Sequence, residues 1–99
     1  PGPTTFLLER SSDKYKYLSH LGRHAVRVSA HNPLIKLLNF FGSEIVSTSA
    51  NISGENEIKN KDDIVNFFNY EDVALFDDSL GNLKKPTKIF DLKLKKYIR

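Results

Sequence analysis

The 99-residue chain contains no cysteine, no methionine and no tryptophan. Without cysteine there is no disulfide framework, no thiolate metal ligand and no cysteine nucleophile. No apolar run approaches the roughly 18 residues that span a bilayer, and no charged-then-apolar leader precedes the first apolar stretch. Together these predict a cytoplasmic protein with no membrane partner, in which the sequon Asn51-Ile52-Ser53 is part of a loop rather than a glycosylation site. A G-x-S-x-G elbow and a Walker-type phosphate loop are both missing. The histidines do not suggest a metal site: His20 and His24 stand four apart, but Gly22 between them opposes a helix and no carboxylate falls at matching spacing.

Hydrophobic residues make up 39% of the chain, and four tyrosines and seven phenylalanines give it enough aromatic bulk for one domain with a modest core. The net charge of +3 is unevenly spread. Residues 1–54 carry six basic and three acidic side chains, residues 55–78 two and eight, and residues 84–99 seven basic side chains against Asp91 alone. A solvated strand pair accounts for such a tail. The sharper reading is an electropositive rim for nucleotide phosphates or RNA. With only Phe90 and Tyr97 nearby, base stacking is weakly supported.

The pattern along the chain alternates. Thr4–Glu9 reads as a strand after a Pro-Gly-Pro break. Ser11–Gly22 is a polar loop with a helical turn, and Ala25–Val28 is a short strand. Asn32-Pro33 opens a helix whose Leu34, Leu37, Leu38 and Phe41 fall at helical spacing, with Gly42 as its stop. Ile45–Thr48 reads as a strand and Lys61–Phe68 as a second helix, with Asp62 and Asp63 suited to its first turn. Val73–Phe76, Ile89–Leu92 and Lys95–Ile98 are further strands, the first two separated by a turn over Asp78–Asn82. No repeat or low-complexity segment interrupts them. The expected architecture is α/β, a twisted mixed β-sheet with flanking helices.

The richest stretch is Ser47-Thr48-Ser49-Ala50-Asn51-Ile52-Ser53-Gly54, directly after Ile45-Val46. A β-branched run that stops in small hydroxyl and amide residues reads as a strand end opening into a tight loop. Ligands of open α/β sheets sit at such carboxyl ends, where backbone N–H groups and short polar side chains converge on polyanions. Any one hydroxyl here fits an ordinary turn; four hydroxyls and an amide together indicate a binding loop.

Five blocks stand in order: Pro1-Gly2-Pro3-Thr4-Thr5, Val26-Arg27-Val28-Ser29-Ala30-His31, the loop above, Pro86-Thr87-Lys88-Ile89-Phe90-Asp91, and Ile98-Arg99. In this order the chain closely resembles the YrdC-like threonylcarbamoyl-AMP synthases of tRNA modification, with their PGPxT, VR-x-x-x-H, STSANxSG, PS-x-I-x-D and terminal I-R-x-G segments. The resemblance spans residues 1–99 and implies the C-terminal part of a single YrdC-like domain. That family's N-terminal half, with its Lys-x-Arg element, has no counterpart here. The start at Pro1 and the lack of methionine are expected of a piece of a longer domain.

By resemblance, Arg27 holds the carboxylate of L-threonine, which its planar fork suits. Ser47 and Thr87 lie on the same threonine side. Ser49, Asn51, Arg23 and Arg99 fall on the ATP side. By itself, Arg27 between two valines is an outward-facing strand residue, Ser47 a strand-end cap and Thr87 a turn residue. Arg23 stands where relatives often carry a small hydroxyl residue, Glu55-Asn56-Glu57 replaces a family hydroxyl, and Pro86-Thr87 replaces Pro-Ser. His31 is expected to be structural or pocket-lining.

The implied reaction joins L-threonine, bicarbonate or CO2, and ATP, with Mg²⁺ travelling with the nucleotide. It releases diphosphate and leaves threonylcarbamoyl-AMP for partner proteins that modify tRNA. No residue is expected to act as a nucleophile. The alternatives are a non-catalytic RNA-binding module, an inactive fragment of this fold, or a related carbamoyl-transfer enzyme.

Overall fold

Thr4–Glu9, rich in Thr, Phe and Leu after a Pro-Gly-Pro break, forms strand β1, the middle of the sheet in a computed structural model that describes residues 1–99 except Ser11, Tyr70 and Asp72. Strand β2, Arg23–Val26, lies antiparallel to it, with Phe6 opposite Val26 and Glu9 opposite Arg23. Strand β3, Lys88–Asp91, lies parallel on the other side, with Thr5 opposite Ile89 and Leu7 opposite Asp91. Strand β4, Lys96–Tyr97, closes an antiparallel hairpin with β3, so the order is β2-β1-β3-β4. The parallel pair requires a long crossover, and both α-helices lie in it.

Helix α1, Asn32–Phe41, has Pro33 in its first turn and ends at Gly42. There φ is 82° and the N–H reaches Leu38 O at 2.8 Å, a left-handed stop that suits glycine. Helix α2, Lys61–Phe67, is capped by Asn60, whose Oδ1 accepts from Asp63 N at 2.8 Å, and Asp62 and Asp63 face the positive end of its dipole. A 3-10 turn occupies Lys16–Leu18. His20 and Arg23 exchange backbone hydrogen bonds around Leu21 (φ 51°) and Gly22 (φ 74°), a tight two-residue reversal into β2. Among the described residues no helix is long and apolar enough to cross a membrane.

The α/β class, the mixed sheet and both helices are as the sequence indicated. Three details differ. β2 runs over Arg23–Val26 rather than Ala25–Val28, so Arg27 falls just past its end. Pro3 has no N–H for the ladder at this point; contact continues instead through Gly2 N–H to Val28 O at 2.8 Å. Ile45–Thr48 and Val73–Phe76 are irregular rather than strands. Both have strand-like composition, but β-propensity is realised only against a neighbouring strand. Among the described residues the sheet's four strands do not include them.

Alternation gives the sheet two unlike faces. Phe6, Val26, Phe90 and Tyr97 share one. There Phe6 and Phe90 meet edge-on at 6.2 Å and Phe90 and Tyr97 at 5.0 Å. Thr5, Leu7, Arg23, Ala25, Ile89 and Asp91 share the other. Neither helix makes more than sparse contact with the sheet among the described residues. No apolar side chain there is fully buried, and Asp91, at 1% exposure, is the one that is. The radius of gyration, 15.1 Å, exceeds the roughly 13 Å of a compact chain of this length.

Candidate substrate-binding site

The parallel pairing of β1 and β3 brings two distant threonines together: Thr5 Oγ1 and Thr87 Oγ1 lie 3.3 Å apart. The chain returns to the same corner beyond β4. Ile98 N donates to Ile89 O, Ile89 N donates to Arg99 O (both 2.9 Å), and Arg99 Nε donates to Thr87 O at 3.0 Å. Two expected site residues, Thr87 and Arg99, therefore meet, one supplying a hydroxyl and the other a guanidinium. Thr5 joins them. Composition alone does not single it out; its signal is its place as the threonine of the PGPxT block.

On the face opposite the aromatic cluster Arg23 reaches across β1 to Asp91 and pairs with its Oδ1. The same oxygen accepts Lys93 N at 2.9 Å and Leu94 N at 3.0 Å, closing the turn between β3 and β4. The Arg23 guanidinium beside it, with the turn's N–H groups, holds the Asp91 carboxyl below the usual carboxylate range. Arg23 Nε and Nη2 are both buried and neither makes a hydrogen bond among the described residues, so the contact with Asp91 is an ion pair that does not exhaust the fork. Asp91 is the final residue of the PTKIFD block, and sequence reasoning left it without a role.

The 47–54 loop is irregular, with Ser47 and Ser49 exposed. Asn51 Nδ2 donates to Ile52 O (2.9 Å) and Glu55 O (3.2 Å), while Glu55 N reaches Ile52 O and Ile58 N reaches Ala50 O. Asn51 thus ties the loop to itself, and Gly54 turns it with φ 82°. Ser49 and Asn51 line an open, polar cavity of about 1110 Å³, shared with Asn60, Asp63 and Asn66 around α2. Among the described residues no hydrogen bond joins Ser47, Ser49 or Asn51 to the Thr5–Thr87–Arg99 corner. Arg27 is exposed and makes no ion pair or side-chain hydrogen bond among the described residues.

Two tethers frame these groups. His31 Nε2 bonds with Ser79 O at 2.9 Å, and its ring lies against Gly81. Glu44 accepts from Ser43 Oγ (2.5 Å), Tyr15 OH (3.1 Å) and Lys14 Nζ (3.4 Å), which lowers its carboxyl to about 2 and links the β1–β2 loop to the segment entering Ser47.

A four-stranded mixed sheet with two helices defines an α/β protein. The chain belongs to the Sua5/YciO/YrdC family, whose model, described as telomere recombination, matches residues 1–99. Among its relatives is a protein of Buchnera aphidicola subsp. Acyrthosiphon pisum (strain APS) named threonylcarbamoyl-AMP synthase. It is 41% identical over 100 residues, covering all of this chain and 57% of the relative. Proteins of the same name from Buchnera aphidicola subsp. Schizaphis graminum (strain Sg) and Halorhodospira halophila (strain DSM 244 / SL1) are 39% and 37% identical. Each match covers the whole chain and 52% of the relative. The chain spans about half the length of the curated relatives it matches. No solved structure matches it.

Proposed function

We propose that this chain is the C-terminal part of a YrdC-like domain that makes threonylcarbamoyl-AMP for tRNA modification in the cytoplasm. The observation that carries the reading is the match of the whole chain to relatives bearing that name. The meeting of Thr87 and Arg99 at one sheet corner supports it. In this reading the amine of L-threonine adds to CO2, or to bicarbonate with loss of water, to give a carbamate. A carbamate oxygen attacks the α-phosphorus of ATP and the bond to diphosphate breaks. Threonylcarbamoyl-AMP then passes to a partner protein that transfers the threonylcarbamoyl group to tRNA.

Arg27 binds the threonine carboxylate bidentately, and Ser47 and Thr87 donate or accept at its polar groups. Arg23, Ser49, Asn51 and Arg99 serve the nucleotide, with Mg²⁺ arriving on its phosphates as part of the substrate. No protein nucleophile is required. The residues hold two substrates in line and offset the charge that develops on phosphorus. The test is diphosphate release from ATP and bicarbonate by the full natural chain, with and without L-threonine. Release that requires threonine is expected; its absence from the folded chain overturns the reading. A second reading rests on the seven basic side chains of residues 84–99. They suit RNA, and RNA affinity that falls steeply with salt and ignores ATP would favour a binding module.

A further inference from the structure

Arg23 sits on β2 and Asp91 at the end of β3, with β1 between them. Asp91 is itself held rigidly, because the oxygen that meets Arg23 also accepts two backbone N–H groups of the following turn. That turn leads into β4 and so to Arg99, which bonds Thr87 O. One buried carboxylate therefore fixes both the direction of Arg23 and the hairpin that brings Arg99 back to Thr87. The guanidinium has five N–H donors. One carboxylate oxygen shared with two backbone groups cannot satisfy them, and its buried Nε and Nη2 make no hydrogen bond among the described residues. The side chain as a whole keeps 22% exposure, while its Nε and Nη2 are buried.

We propose that Asp91 is a positioning residue acting through Arg23, which it holds ready on the face of the sheet opposite the aromatic cluster for an anionic group of the substrate. This rests on the nucleotide reading above, in which that group is a phosphate of ATP. An arginine already ordered by a carboxylate spares the ligand the cost of ordering it, a few-fold to about tenfold in affinity for one long side chain.

The test is made in the full natural chain. D91N keeps an oxygen for Lys93 N and Leu94 N, and so keeps the turn, but removes the charge that holds Arg23. Calorimetric ATP affinity and the apparent KM for ATP in threonine-dependent diphosphate release are measured for the natural chain, D91N, R23A and the double variant. D91N is expected to weaken ATP about tenfold with kcat within about twofold, and the double variant to be no worse than R23A alone. ATP affinity unchanged in D91N, or effects that add in the double variant, overturns the inference. R23K keeps the pair but loses the fork. Unchanged ATP affinity in R23K overturns the inference even where D91N fails to fold. Failure of the synthase reading looks different: the natural chain binds ATP without releasing diphosphate, and the binding cycle still decides the role of Asp91. A natural chain that does not bind ATP overturns both.

Discussion

Arg27 offers the cleanest separation of function from fold. The residue lies one position beyond β2 and is exposed. Its guanidinium makes no ion pair or side-chain hydrogen bond among the described residues. Replacing it by alanine should therefore change stability by no more than about 0.5 kcal/mol, the range of surface substitutions that touch nothing. Its proposed task is different in scale. A hydrogen bond to a charged group contributes roughly 1.5–3 kcal/mol, and about 1.4 kcal/mol is a factor of ten. Arg27→Ala should thus raise the KM for L-threonine some 10- to 100-fold while the KM for ATP stays within about twofold. Arg27→Lys keeps the charge but not the fork and should fall between. The assay is threonine-dependent diphosphate release at varied threonine, beside a thermal melt of each variant. A threonine KM unchanged in Arg27→Ala refutes the carboxylate assignment. A large loss of stability refutes the view of Arg27 as a side chain the fold does not use.

Three further outcomes follow from the fold. Phe90 joins Phe6 and Tyr97 in edge-on contacts while only half-buried, so Phe90→Ala should cost about 2–3 kcal/mol in urea unfolding of the full natural chain, less than a fully buried phenylalanine. Gly22 and Gly81 both have φ +74°, but an added Cβ meets nothing at Gly22 and lies 3.2 Å from His31 Cε1 at Gly81. Each alanine should cost roughly 1–2 kcal/mol for its backbone, and Gly81→Ala should lose measurably more than Gly22→Ala in parallel melts, the excess shrinking when His31 is also alanine. Glu44 has its folded carboxyl lowered from 4.5 to about 2, first by Ser43. Its stabilising contribution is present above pH 4.5 and is lost as pH falls toward 2. The gap in Tm between the natural chain and Glu44→Gln should therefore close over that window.

Elements with their own local signals were legible in the sequence. Pro33 and Gly42 bracket α1, Asp62 and Asp63 mark the first turn of α2, and the Thr, Phe and Leu run after Pro-Gly-Pro places β1. Ile45–Thr48 and Val73–Phe76 have equally strand-like composition but no ladder among the described residues, because a strand depends on its neighbour more than on itself. The candidate site divides the same way. Thr87 and Arg99 stand in recognisable blocks, yet their meeting depends on the β3–β4 hairpin, which spacing does not reveal. The Arg23–Asp91 pair was illegible. It spans three strands, and no local pattern couples the two residues. Arg23 stood out only through the resemblance, in place of a small hydroxyl residue, and Asp91 only as the last letter of a block.

β3 is where these features meet, and its register with β1 matters more than any single contact. Thr5 lies opposite Ile89 and Leu7 opposite Asp91, which puts Phe90 among the aromatics and Asp91 among the polar groups. Successive strand residues point to opposite faces, so a slip of one residue would exchange them. The carboxylate would then sit beside Phe6 without Arg23, and Phe90 would leave the edge-on contacts it makes with Phe6 and Tyr97. Stranding a carboxylate costs more than misplacing an apolar residue. The ion pair therefore selects the register as well as orienting an arginine. The same register sets the two threonine hydroxyls 3.3 Å apart and leaves Thr87 O within reach of Arg99. The Thr5–Thr87–Arg99 corner and the strand pairing thus both depend on one strand, Lys88–Asp91. A substitution there that shifts the pairing should disturb both sides of the site together, whereas a change at Arg27 should disturb one.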